Sequence, residues 1–504
     1  MRASGYAIKE KAASYVGTFT VVKPRDIMNM VQKEYGLDSN YSTTWYALNE
    51  SRMEKQHEGD ESFMLLKDFL QKAMDSNPGT VTSLECANDH TFTRAFLCPR
   101  ANQLAFKYCR PILILDACHL KSVYGGVVMS GCAHDGEGRI VSLAVGITSI
   151  ENDDNWTYFL ANLAAAIPEL RTPGMVIMHE REKGIHNAQA SILPYSHESV
   201  CVFHLEKNLN DRFKSKFQRK IWAAAKATTN KDFEAAMTQI RSINAEAESH
   251  LLQSNPGKWA ASKFPVPRFG CTTSNSAESL NSWLGPLRFG SHLHLLASWL
   301  SKVAKLMYDR HQELSAVVTE LSEPKQKMLN DLTQEGSKRR VIRVTDTTFE
   351  VVSYAGNDNR IVDLHEKSCS CGKFVETQFP CLHAAVAIKR AGLSYTSFIH
   401  PSYLTSSLGS LYSHHIRPVD LDSLESDHRT LPPRCSRKMD ARSYCGSGLV
   451  GGLLWKTNIC AASVCKRVTT SALVNVVHLC MSRRKCNSLP FLSLQSILNC
   501  PRGK

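Results

Sequence analysis

The chain opens with apolar residues spaced three and four apart. In PRDIMNMVQKEYGL and again in ESFMLLKDFLQKAMDSNPG they draw one stripe along a helix, and each run ends at Gly or Pro. Residues 1–95 are therefore expected to form a helical leader. From about residue 96 the period changes, and short β-branched runs alternate with amphipathic segments, the texture of an α/β layer. PILILDA reads as a buried strand ending in Asp116, and GVVMSGCAH and IVSLAVGIT flank the turn Asp135-Gly136-Glu137-Gly138 as a hairpin. A helix, NWTYFLANLAAAI, follows, capped by the Asn/Asp cluster at 152–154. After it come a strand GMVIMHE, a helix HNAQASIL and a strand SVCVFHL.

Three antiparallel strands followed by helix, strand, helix and strand are the order of an RNase H-like domain, here placed at 96–300; a generic α/β domain is the alternative. Residues 211–262 are Lys- and Ala-rich with helical spacing and read as a helical insertion, before FPVPRFG and the capped helix of CTTSNSAESLNSWL. A helical connector is expected at 301–339, a small ββα unit around clustered cysteines at 340–398, and a polar, basic, disordered tail over 405–504. The fold class is thus α/β.

The string SCSCGKFVETQFPCLHAAV carries the most specific chemistry. Cys369 and Cys371 form a C-x-C pair, nine residues intervene, and Cys381 and His383 form C-x-H. Two close pairs of soft or borderline ligands, with enough chain between them to fold back, are what a tetrahedral zinc ion needs. Gly372 and Pro380 supply the bends, and a unit this small has little core, so metal binding would supply much of its folding energy. The alternative is unrelated thiols in a reducing cell. A Cys3His set leaves no position for water, so the zinc is read as structural. The string resembles a SWIM zinc finger over residues 340–395, and that resemblance implies DNA binding or protein interaction.

Charge and cysteine usage narrow the setting. A net charge of +13 and a pI near 9.0 put a positive field on part of the surface, and the commonest large polyanion it meets is nucleic acid; solvated surface charge is the bland alternative. MRASGYAIKEKAASY interleaves charges where a secretory apolar region would lie, and no apolar run is long enough to span a bilayer. An intracellular protein is expected, with most of its 17 cysteines reduced.

Three carboxylates complete the picture: Asp116 at the end of the first strand, Glu180 at the end of VIMHE, and Glu278 on the helix opening with SNSAESLN. Each alone reads as a cap or a solvated charge. In order, however, DACHLKSVYGG, HDGEGRIVSLAVGITSIENDDNWTYFLANL, EREKGIHNA, CVFHLEKN and TTSNSAESLNSWL resemble the central domain of plant-type Mutator-like transposases over residues 95–290, and NPGTV at 77–81 resembles the family's leader. The resemblance implies an RNase H-like fold with an Asp, Asp, Glu triad that holds magnesium or manganese, cuts transposon ends and joins them to DNA. Asp116 takes the first place and Glu278 the third. The second departs from the family: where it has Ser-Asp-Arg, this chain reads His179-Glu180-Arg181. The extra methylene moves the carboxylate by about a bond length, and a misplacement of about 1 Å can cost roughly a hundredfold in rate.

Cys201 and His204 match a Cys-x-x-His element of the same domain, as a possible accessory pair; read plainly they are a strand-buried thiol and a histidine at a helix start. As nucleophile and base they lack an identifiable third residue. Many relatives carry an N-terminal DNA-binding finger and none is read before this leader, so recognition of transposon ends is expected to be missing; the tail loses the family's pattern after LPPRCSRKMDARS, and residues 450–504 are read as a degraded frame. Two functions stay open, an active transposase or a catalytically inactive, domesticated relative acting as a DNA-binding or protein-interaction protein. Expected partners are DNA, proteins met through the zinc finger and, as a homo-oligomer, the chain itself; no membrane is expected, and the compartment is the nucleus.

Overall fold

The computed structural model of the chain describes residues 24–433, except 123, 181–182, 215–216, 275–278, 281–282 and 355–358, together with residues 8 and 10. Three helices lead: α1 (Pro24–Tyr35), α2 (Tyr41–Met64) and α3 (Leu66–Ser76). The helical leader then stops short of its expected end. Val81–Cys86 (β1) and Phe92–Cys98 (β2) pair as a hairpin, and β2 pairs onward with β5, so residues 81–98 add two strands to the main sheet. The β-branched Val81, Thr82 and Thr93 and the aromatic Phe92 and Phe96 favour strands, and a left-handed His90 closes the turn between them.

The main sheet is mixed and has seven strands in the order β1-β2-β5-β4-β3-β6-β7. After the short helix α4 (Arg100–Phe106) come β3 (Ile112–His119), β4 (Val127–His134) and β5 (Ile140–Thr148), joined antiparallel. The β4–β5 turn falls where the sequence placed it. Asp135 accepts the amides of Glu137 and Arg139 at 2.9 and 2.8 Å, and Gly138 has φ +85°. Asn152 caps α5 (Asp153–Ala166) by accepting from Asn155 N at 2.9 Å. That helix lies close on the sheet, for a Cβ on Gly146 would come within 2.8 Å of Phe159.

Two parallel strands complete the sheet: β6 (Val176–His179) beside β3, then α6 (Lys183–Ile192) and β7 (His197–Val200) beside β6. β7 ends earlier than its apolar run suggested. Cys201 is already the cap of α7 (Val202–Phe213), because the run SVCVFHL continues in the helical period of the basic residues behind it. The helical insertion is α8 (Gln218–Lys226), α9 (Asn230–Arg241) and α10 (Ala245–Gln253), which with α7 close a core around Trp259, Phe217 and Ile240. Lys258 ties it to the sheet through Glu198 on β7.

The long helix α11 (His292–Ser315) crosses the main core, where Trp299 Nε1 donates to Ser142 Oγ at 3.1 Å, and α12 (Glu323–Gly336) leads to the small sheet. That sheet has four strands, not the two expected: β8 (Arg339–Arg343), β9 (Thr348–Ser353), β10 (Asn359–Asp363) and the two-residue β11 (Ser368–Cys369), in the order β11-β10-β9-β8. Its helices are α13 (Lys373–Thr377) and α14 (Leu382–Ala391).

The low-order tail expected from residue 405 is corrected for residues 405–433. Helix α15 (Thr405–Tyr412) buries Tyr412 completely, and the Tyr412 hydroxyl donates to Asp135 at 2.9 Å. Leu431 then bridges to Thr91, and its carbonyl accepts from Phe92 N at 2.8 Å. A single aromatic anchor and backbone pairing across more than 300 residues leave no local period to read. The tail beyond residue 433 lies outside the described residues.

Candidate metal centres

The cysteine-rich turn is built by local geometry. β11 delivers Cys369 and, through a left-handed Gly372 at φ +75°, Cys371; a left-handed Gln378 and Pro380 then bring the chain to Cys381. Cys381 caps α14, its sulfur accepting from Ala384 N at 3.5 Å, and so places His383 in the first helical turn. All four residues are buried, and their donor atoms lie within 4.8 Å of one another. The Cys369 and Cys381 sulfurs sit 3.7 and 3.8 Å from His383 Nδ1. Bonds of about 2.3 Å to sulfur and about 2.0 Å to nitrogen put tetrahedral ligand atoms roughly 3.5–3.8 Å apart, so the donors fit zinc. Contact with the Cys369 and Cys381 thiols lowers the Cys371 pKa, while the hydrogen bond to Cys371 raises that of Cys369.

The second centre is at the carboxyl end of the parallel pair. Ile112, Leu113 and Ile114 stand level with Val176, Ile177 and Met178. The strand expected to end at Asp116 runs on to His119, because it stays paired with β4, and continuing the β3–β6 register by two residues sets Asp116 level with Glu180, the residue that follows β6. Asp116 is buried and its Oδ1 accepts from Ala117 N at 2.9 Å. Glu180 Oε1 is 2.8 Å from His204 Nε2. Its third expected companion, Glu278, lies outside the described residues.

His204 stands between Glu180 and Cys201 near the head of α7. The Cys201 thiol and the Glu180 carboxylate push its pKa up to about 10. Burial pushes Cys201 up, but His204 and Ser274 outweigh it and leave the thiol below its usual value. Ser274 N donates to the same sulfur at 3.3 Å, and Val202 N donates to Thr272 O at 3.0 Å, so the strand-free segment 271–274 is fastened to α7.

Comparison with known families finds two matches. Residues 112–208 match the MULE transposase domain, and residues 351–392 match the SWIM zinc finger. The chain carries a MULE transposase domain and a SWIM zinc finger. No curated protein matches the chain. The transposase match spans Asp116, Glu180, Cys201 and His204, and the SWIM match spans all four sulfur and imidazole donors. Among the described residues no helix is long and apolar enough to cross a membrane.

Two groups escaped the sequence reading. The orienting partner of His204 that sequence did not identify is Glu180, itself read only as an acid. Arg268 and Glu376, both buried, face one another between the two domains at 3.8 Å. Only the types hinted at this: an arginine in the apolar FPVPRFG and a glutamate between zinc ligands must find each other or water.

Proposed function

We propose that the chain is a metal-dependent DNA strand transferase on an RNase H-like sheet. The order β5-β4-β3-β6-β7, three antiparallel strands followed by two parallel ones, supports that fold. The observation that carries the function is the register of β3 and β6, which sets Asp116 and Glu180 at one sheet edge. Oxygen donors carried by one strand and by the residue after its parallel neighbour suit magnesium or manganese, and Glu278 is proposed as the third. The bound ions would supply charge stabilisation for the attacking and leaving oxygens. The protein's own share is placement: His204, hydrogen-bonded in turn to Cys201, holds the Glu180 carboxylate, and the exposed Lys121, beyond the end of β3, is proposed to meet phosphates. The SWIM finger holds structural zinc, and its surface serves DNA or protein contacts. With DNA as substrate the protein works in the nucleus.

One observation favours a second reading. The Glu180 carboxylate is already engaged by His204, which suits an inactive relative that binds DNA through its positive surface. The deciding experiment incubates the full chain, with manganese or magnesium, with duplexes bearing the inverted repeats that flank its own genomic copy. Strand cleavage and joining lost in Asp116→Ala supports the transferase. Salt-sensitive DNA binding without cleavage, unchanged in Asp116→Ala, supports the second reading and overturns the first.

A further inference from the structure

We propose that Glu376, inside the zinc finger, positions the segment that leads to the third acid of the transposase site. The catalytic consequence rests on the transferase reading; the positioning itself does not. Glu376 lies on α13, between the ligand pairs Cys369/Cys371 and Cys381/His383. Its carboxylate accepts from Arg268 N at 3.3 Å and faces the buried Arg268 guanidinium, while its own carbonyl accepts from Phe269 N at 2.9 Å. Arg268 is fully buried, donates from Nη1 to Trp259 O at 3.0 Å, and lies 4.9 Å over the Phe264 ring.

Beyond this grip the chain takes a turn that it would not hold unaided. Phe269 and Gly270 are both left-handed, at φ +54° and +72°, and a bulky residue there is strained unless its surroundings fix it. Residues 271–274 then run to the head of α7 and fasten to Val202 and Cys201. Glu278 follows Ser274 by four residues. A second tie comes from the same short run of the finger. Thr228 Oγ1, on the helical insertion, donates to Cys371 O at 2.7 Å, and a Cβ on Gly372 would lie 2.2 Å from Thr228 O.

Residues 371–376 therefore hold both the insertion and the 268–274 segment, and the two ligand pairs bracket those residues. Ordering of the finger by zinc passes to the 268–274 segment through the Glu376 carboxylate and carbonyl, and to the insertion through Cys371 O. Glu376 is a positioning residue, acting through the backbone of 268–270 and not on DNA.

The test is hydrogen exchange followed by mass spectrometry on the zinc-loaded full chain and its Glu376→Gln variant. Zinc content stays at the wild-type level in the variant, and amides of 268–274 exchange about tenfold or more faster, because a buried arginine loses its charged partner. Strands spanning 112–148 keep their rates. Stripping zinc from the wild type with a chelator gives the same acceleration in 268–274. Wild-type rates in 268–274 in either experiment would overturn the proposal, as would equal acceleration across 112–148, which would make Glu376 a general stability contact. On a cleavable duplex, Glu376→Gln lowers kcat with KM for DNA unchanged; a change in KM alone would also overturn it. If the wild type cleaves no DNA, the transferase reading fails while the exchange result still decides the positioning role.

Discussion

His292 offers a pH-dependent probe of the main core. It is the first residue of α11, 2% exposed, with no hydrogen-bond partner for Nδ1. The rings of Phe63, Phe92 and Tyr124 surround it at centroid distances of 4.8, 5.0 and 6.0 Å. Burial among them lowers its pKa from 6.5 to about 3, so the folded protein keeps the imidazole neutral. The unfolded chain takes up the proton near its ordinary value. Stability from this residue is thus fully present above about pH 6.5 and is lost as pH falls toward about 3. At about pH 5.5 the loss is about 1.4 kcal/mol, and at about pH 7.5 it is under about 0.1 kcal/mol. In His292→Leu that titration is gone. Urea unfolding followed by tryptophan fluorescence should show the variant gaining about 1.4 kcal/mol on the wild type between those two pH values. An identical difference at both would refute the buried, neutral histidine.

Other substitutions test separate contacts. Cys381→Ser should release the zinc, read by metal analysis of the purified chain, and leave residues 340–398 open to proteolysis; full zinc retention would contradict the four-donor site. Gly372→Ala forces a Cβ against Thr228 O and a left-handed alanine, at a cost of about 1 kcal/mol for the backbone alone, and should lower the melting temperature. Tyr412→Phe removes a hydroxyl that donates to Asp135 and accepts from Arg310, and should destabilise by about 1–3 kcal/mol in chemical denaturation. No change there would mean that residues 405–433 do not dock.

What could be read in advance was what neighbours in sequence determine. The strand that carries Asp116, the Asp135 to Gly138 turn, the Asn152 cap and the spacing of Cys369, Cys371, Cys381 and His383 are each set within a few residues, although that strand runs three residues past Asp116 to His119. The hairpin of β1 and β2 was hidden because its strands are short and follow directly on a strong helical stripe. Tyr412 with Asp135, and Glu376 with Arg268, join positions 277 and 108 residues apart, and only the folded chain brings them together. Glu180, where the family has aspartate, looked like a displaced acid; in the fold its carboxylate lies 2.8 Å from His204 Nε2.

Manganese binding, followed by electron paramagnetic resonance on the zinc-loaded full chain, tests the central claim most directly. If Asp116 and Glu180 share an ion, Asp116→Asn and Glu180→Gln each weaken binding by about tenfold or more, since each removes one carboxylate ligand. Undiminished manganese affinity in either variant would contradict the shared site.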